Sequence, residues 1–568
     1  MNDSKNLILA VVLSALVLLG WSWAANRYFP TANPQSSKVE AGKQQPIPQS
    51  NAQPGGPATP QKLQSIATAL ASTPRVGIRT PSLQGSINLK GAQIDDLLLL
   101  NHRQTIARNS PPVRLLSPLG APGAYIAQFG WVAQSGQVPA FDALWTADKQ
   151  VLSPGQPVTL STQTAEGTRF QIKIAVDDGF LFTVDQSVTN ASGQPISVGP
   201  IGLVSRASQS ADHSTWQNHV GPIGVFDGKA NYDVNWKDLD QGTQEAFRNI
   251  SGWLGFTDKY WLTALVPQSA MNGEFRRSPS GGYQADFALA PATAAPGQTV
   301  TTQTRFFAGA KEKAWLDRYE DAGITKLSKS IDWGWFEFFM RPIFDLLMFL
   351  FHTVGNFGVA IIGLTLIVRA IMFPIAQKQF QSMAAMRKIQ PKMKAIQERF
   401  KDDKQRQQQE IMKLYQAEKI NPAAGCLPIL LQIPVFYALY KVLLVSVEMR
   451  HQPFVAWIRD LSAPDPLTPV NLFGLLGFTP PAMLAIGVLP ILVGATQWLS
   501  MKLNPQPMDP AQAQVFAIMP WVLVFVMAPF AAGLQLYWMT NNILTIAQQW
   551  HLYRKFGLHL SDTHPVHT

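Results

Sequence analysis

"LTLIVRAIMFP", residues 364–374, sets one arginine, Arg369, among about twenty-three otherwise uncharged residues from Val354 to Ala376. A helix needs about 20 apolar residues to cross the hydrocarbon core of a bilayer, so the stretch has the length of a span. An arginine at that depth costs at least ~2.5–3.5 kcal/mol on insertion scales. The fold class therefore turns on whether this charge lies in a membrane, and on what compensates it there.

The surrounding 568 residues support a membrane setting. The mean hydropathy of +0.03 averages two populations, an ordinary amino-terminal part of roughly 330 residues and a strongly apolar remainder. The net charge is +10, and much of the excess lies next to the apolar stretches. Between Lys378 and Lys419 stand 11 Lys/Arg against 5 Asp/Glu. Basic residues placed beside spans mark a cytoplasmic loop, so nucleic-acid binding is not expected as a primary function. The single cysteine, Cys426, excludes an intrachain disulfide. The chain has no GxxxxGK[ST] loop, HExxH, CxxC pair or GxSxG elbow, which argues against ATPase, zinc hydrolase, redox and α/β-hydrolase chemistry. No cofactor or metal is expected, and no covalent turnover.

Working outward from Arg369, the sequence divides as follows. Residues 1–6 are cytoplasmic. Leu7–Ala25 is an uncharged stretch of 19 residues between Lys5 and Arg27. A signal peptide, with Ser22-Trp23-Ala24 as its cleavage site, competes with an uncleaved first span. The length and the Trp21/Trp23/Tyr28/Phe29 cluster favour the span. Residues 26–75, rich in Pro, Gln, Ser, Ala and Gly, read as a flexible periplasmic linker. From 76 to 329 short alternating segments with turn signals predict a β-sandwich closed by a helix at Lys311–Gly323. Thr168–Asn190 is its clearest hairpin, turning at Asp177-Asp178-Gly179. Residues 330–353 form an amphipathic helix with a Glu337/Arg341/Asp345 stripe, suited to the interface plane.

Further spans are expected at 354–376, 426–447, 482–501, 511–529 and 533–550. Residues 377–425 form a cytoplasmic helical hairpin. Its first arm carries Met383, Met386, Ile389, Met393, Ile396 and Phe400 at 3/4 spacing, and it turns at Lys401–Lys404. Residues 448–481 are a periplasmic loop, 502–510 a cytoplasmic loop, and 551–568 a cytoplasmic tail. Alternation then places both termini in the cytoplasm and the sandwich outside. The fold class is thus a multi-pass α-helical membrane protein of six spans with a large periplasmic β-sandwich domain.

Thr365 lies one turn before Arg369 on the same face. Other polar groups at depth are Gln432, Gln497, Asn541, Asn542 and Gln548. Such amides more often hold helices together than bind ligands. Arg369 is different, because no other span contains an Asp or Glu to neutralise it. That points to a hydrated cavity in which the arginine attracts an anionic group. Lys441, toward the outer end of its span, is expected to snorkel outward in a structural role.

"VRAIMFP", "NPAAGCLPILLQIPVFYALYKVL" and "GLQLYWMTNNILTIAQQW" resemble the signature segments of the YidC/Oxa/Alb family of membrane protein insertases. The arrangement of a first span, a periplasmic domain and a five-helix core resembles the family's Gram-negative form. The motif-specific part is about Asp332–Phe556. The resemblance implies a hydrophilic groove open to cytoplasm and lipid, lined at matching positions by Arg369, Thr365, Gln432, Tyr537 and Trp538. It further implies that nascent inner-membrane proteins are the clients and that the Sec translocon is a partner. The cytoplasmic hairpin would meet ribosome or targeting factors. Three features depart from the family pattern: Lys441 at an uncharged position, Trp538 where tyrosine is common, and a tail lacking a polybasic run. A transporter or flippase using Arg369 is the alternative, although no internal repeat supports it. An anchored sugar-processing enzyme would rest on the sandwich alone.

Overall fold

The computed structural model describes residues 63–555, apart from the short segments 213–217, 279–280, 335, 402, 419–426, 477, 479, 481–484 and 504–509. The span expected at 7–25, most of the 26–75 linker and the tail beyond 555 lie outside the described residues. The chain forms two compact units, one holding nearly all residues up to Asp332 and the other running from Trp333 onward.

The first unit is a β-sandwich. Among the described residues, one sheet has 11 strands and the other 9. Strand alternation sets the two faces. In Arg169–Val176 the residues Phe170, Ile172, Ile174 and Val176 are buried, and in Leu181–Thr189 the buried set is Phe182, Val184, Gln186 and Val188. Side chains of period two turned to one face make the core. The sheets meet through aromatic pairs, with Phe129 and Phe306 at 6.0 Å and Trp131 and Phe170 at 5.0 Å between centroids. The one polar member of that core row, Gln186, donates from Nε2 to the Gly130 carbonyl across the sandwich at 2.7 Å. A buried amide without such a partner would be costly.

The hairpin between these strands turns where the sequence indicates, with Val176 opposite Phe182. Asp177 Oδ1 accepts the Gly179 and Leu181 N–H groups, each at 3.0 Å. Two short helices, α1 (Ile66–Ala71) and α2 (Trp236–Asp240), decorate the unit. A third, α3 (Lys313–Asp321), packs onto the turn, where Tyr319 Oη donates to Asp177 Oδ2 and accepts the Phe180 N–H. One correction concerns the linker. Ser65 caps α1 and Arg75 already opens the first strand, its guanidinium paired with buried Asp95. The folded unit therefore starts before residue 75, because a capped helix and an ion pair replace the expected coil.

The second unit is helical. It comprises α4 (Glu337–Val354), α5 (Phe357–Arg399), α6 (Lys404–Ala417), α7 (Leu427–Val445), α8 (Val488–Lys502), α9 (Pro510–Met527) and α10 (Ala532–Lys555). Helix α4 is amphipathic, burying Met340, Ile343, Phe344 and Leu347 at helical spacing, with Arg341 paired to Glu337 at 2.9 Å. Gly355, in the left-handed region at φ 68°, ends it, and Asn356 caps α5 by accepting the Val359 N–H. Helix α5 then runs unbroken for 43 residues, so the span and the first hairpin arm expected as separate pieces are one rod. Pro374 and Pro391 sit within it. Asp403 caps α6, which folds back beside α5 through Lys392–Glu418 at 2.6 Å. Among the described residues, the stretch Phe357–Lys378 is long and apolar enough to cross a membrane, and Gln432–Val445 and Gln514–Met527 are shorter apolar helices.

The segment after α7 gathers the starts of three helices. The Phe454 carbonyl accepts from Asn356 Nδ2 at the head of α5. Leu461 and Ala463 carbonyls accept the Gly533 and Ala532 N–H groups of α10, and Leu467 accepts that of Val488 in α8. Asp465 completes the knot, its carboxylate accepting from Trp457 Nε1 and from the Leu467 and Leu489 N–H groups. The carboxyl end of α7 and the amino ends of α5, α8 and α10 thus lie on one side.

Candidate functional site

Tyr537, Asn541 and Thr545 recur every four residues on α10, so they share one face. Arg369 reaches that face from α5. Its Nε donates to Asn541 Oδ1 at 2.7 Å, and its Nη2 to the Asn541 carbonyl at 3.3 Å and to Thr545 Oγ1 at 2.5 Å. All of these acceptors are neutral. Among the described residues no carboxylate lies within ion-pair distance of Arg369, and Nη1 has no bonded partner. The half-buried guanidinium is therefore held in place with its charge uncompensated and part of its donor fork free.

One turn away, Gln432 of α7 donates from Nε2 to Tyr537 Oη at 2.7 Å. Gln432, Phe436 and Tyr440 are themselves spaced by four, and the aromatic members pack against α10 and the α9–α10 turn. Phe436 lies edge-on to Trp538 at 4.7 Å, and Tyr440 meets Phe530 at 5.7 Å. Trp538 Nε1 donates to Gln497 Oε1 of α8 at 3.3 Å.

The five residues singled out from the sequence are thus placed unequally. Arg369, Gln432, Tyr537 and Trp538 converge on the faces shared by α5, α7 and α10. Thr365, 1% exposed, donates instead to the Ile361 carbonyl of its own helix at 2.6 Å. Tyr537 is also buried, at 2%, and meets the site through its hydroxyl. Asn542, by contrast, joins helices, donating to Thr496 Oγ1 at 3.2 Å. Gln535 ties the α9–α10 turn by donating to the Met527 and Phe530 carbonyls. Lys441 does not snorkel outward: it is 1% exposed and has a polar or electrostatic partner. Its flanks Leu439, Val442 and Leu443 are buried too, so this part of α7 faces protein.

Thr545 and Phe436 were not legible as site residues. The four-residue repeat from Tyr537 was the available signal for Thr545, and the repeat from Gln432 for Phe436. Among the described residues no group of three or more His, Cys, Asp or Glu is placed to hold a metal. The arrangement offers no nucleophile–base pair. Its chemistry is a fixed cation beside hydroxyl, amide and aromatic groups.

Two family models cover most of the chain. Residues 75–346 match the YidC periplasmic domain and residues 349–558 the 60Kd inner membrane protein. A membrane protein insertase YidC from Zymomonas mobilis is 46% identical over 553 residues, covering 96% of this chain and 94% of that one. Another, from Methylorubrum extorquens, is 44% identical over 591 residues, covering 98% and 96%. An active YidC insertase crystal structure with the first transmembrane domain resolved covers 84% of this chain and 92% of its own, at 17% identity and a TM-score of 0.37. With relatives this similar over nearly its whole length, the chain belongs to the YidC family of inner-membrane proteins, and its β-sandwich is that family's periplasmic domain.

Proposed function

We propose that the chain is a membrane protein insertase and chaperone of the bacterial inner membrane. Its clients are nascent inner-membrane proteins, which it takes alone or beside the Sec translocon. In this reading α5, α7, α8, α9 and α10 cross the bilayer, residues 7–25 add a sixth span, and both termini face the cytoplasm. The one-sided gathering of the ends of α5, α7, α8 and α10 supports the alternation. The α5–α6 hairpin then projects into the cytoplasm, where ribosome or targeting factors would meet it.

The observation that carries the reading is the uncompensated charge of Arg369. At membrane depth, a cation held by neutral partners attracts an anionic group. An acidic, polar tail of a client would rest there, while its apolar segment leaves along α7 and α9 into lipid. Burying about 20 apolar residues supplies the driving force, so no nucleotide is needed. Gln432, Tyr537 and Trp538 line the path as hydrogen-bonding and aromatic contacts, and Thr365 supports α5 beside it.

The test is insertion of a single-span client with an acidic periplasmic tail into liposomes containing this protein alone, read by protease protection of the tail. Wild type should protect the tail, Arg369→Lys should retain most of the activity, and Arg369→Ala should lose it. Equal loss in both variants would make guanidinium geometry the requirement instead of charge. No insertion by folded wild type would overturn the autonomous insertase and favour a transporter.

A further inference from the structure

Between α7 and α8 lies a segment that the mechanism above does not use. Residues 466–501 contain no charged side chain, and within 466–487 the only polar side chains are Thr468, Asn471 and Thr479. The turns at Pro469–Gly474 place Leu472 and Phe473 in the left-handed region, at φ 49° and 60°. Two successive bulky residues rarely adopt that conformation, and strain of this kind concentrates at working surfaces. The segment is nonetheless built. The Thr468 carbonyl accepts the Phe473 N–H at 2.9 Å, and that of Asn471 accepts the Leu476 N–H at 3.1 Å. Its outward side is apolar: Val470, Leu472, Phe473, Leu476 and Phe478 are exposed, and Leu475 is 84% exposed.

The root of this segment fixes where it can reach. Val488 N–H bonds to the Leu467 carbonyl at 2.9 Å, and Leu489 N–H to Asp465 Oδ2 at 2.7 Å. The segment therefore leaves the fold at the first turn of α8, and its apolar surface continues into the exposed Ile491 and Leu492 of that helix. On the membrane-spanning reading proposed above, on which this inference rests, that turn lies at the outer boundary of the bilayer. A protein-binding patch would carry a polar rim, whereas this one offers almost no polar side chain. We propose that residues 469–476 together with Phe478 form an apolar wedge seated in the outer leaflet. Lipid acyl chains are its partner, and through Asp465, which accepts the Leu489 N–H, it holds the head of α8 at a set depth.

The test labels the full chain with an environment-sensitive NBD probe at Phe473→Cys in a Cys426→Ser background, in phosphatidylcholine/phosphatidylglycerol vesicles with spin-labelled acyl chains. Ile371→Cys in α5 serves as the reference for a span and Glu166→Cys in the sandwich as the aqueous reference; all three positions are exposed. The wedge requires a blue shift and loss of emission at 473 comparable to those at 371 and absent at 166. A probe at 473 that behaves like 166 while 371 is quenched overturns the wedge and leaves the spanning reading intact, making the face a site for a protein partner. Absence of quenching at both 371 and 473 overturns the spanning reading and the wedge with it.

Discussion

Arg369 keeps an available charge because its two side-chain partners, Asn541 and Thr545, are neutral. That makes Asn541 a positioning residue whose identity matters in a particular way. Asn541→Asp would set a carboxylate against Nε and cancel the charge. Insertion of acidic-tailed clients should then fall as far as in Arg369→Ala, while clients with uncharged tails are spared. Asn541→Ala removes one charge-assisted bond, worth about 1.5–3 kcal/mol, and should give a partial loss. Equal effects on both client types would reduce Asn541 to packing. A second residue-scale expectation lies in the sandwich, at His219. Burial pushes its imidazole below the ordinary value of 6.5, against opposing effects of the Pro222 carbonyl, Asp332 and Asp233, with Lys311 adding to the depression. The unfolded chain thus binds a proton at a higher pH than the folded one. Stability should fall as pH drops below about 6.5, and His219→Gln should flatten that slope in thermal unfolding of the intact protein.

Among the elements, two junctions concentrate the packing constraints. The turn at Asp177–Gly179 is closed by α3, and a Cβ on Gly179 would lie 2.2 Å from Tyr319 Oη and 2.7 Å from the Trp315 ring. Tyr319 cannot swing away without breaking its bonds to Asp177 and Phe180. Gly179→Ala should therefore cost at least about 1–3 kcal/mol as overpacking, a drop of some 2–4 °C in sandwich Tm per kcal/mol. An unchanged Tm would mean that α3 is free to lift. The second junction is Asp465, which accepts three hydrogen bonds, one from Leu489 at the head of α8 and two from Trp457 and Leu467 in the loop before it. Asp465→Ala leaves those donors unmet and should cost roughly 3 kcal/mol. The readout is faster tryptic cleavage at exposed Arg459, and resistance equal to wild type would sink the pinning role.

For the whole molecule, the division at Asp332 decides how the periplasmic domain can be removed. Deleting only about Thr80–Ala310 would strand α3 and the residues behind it. Leu316, Tyr319, Ile324 and Leu327 belong to the sandwich core, and Trp253 Nε1 donates to the Thr325 carbonyl. A deletion from Leu63 to Asp332 follows the folded boundary. It should leave liposome insertion largely intact if the sandwich is regulatory, and complete loss with a folded helical unit would end that view.

The sequence by itself determined whatever is written in local period and composition. The alternation of the hairpin strands, the Asp177 turn, the apolar helices and the lone arginine were all legible, because burial on one face or in lipid imposes a pattern along the chain. The break between α4 and α5 was legible to within three residues, and the turn of the hairpin was marked by Lys401–Lys404. The continuation of α5 past Ala376 was not, because helix continuity depends on what packs beside it. Only the tertiary structure decided which polar groups meet. Asn541 and Asn542 are adjacent and chemically identical, yet one holds Arg369 and the other bonds α8, since successive helical residues point about 100° apart. Lys441 likewise reads as a snorkelling charge until the packing of α7 turns it inward. Partner choice across helices separated by 172 residues, as between Arg369 and Asn541, depends on helix rotation and approach, and local sequence does not encode either.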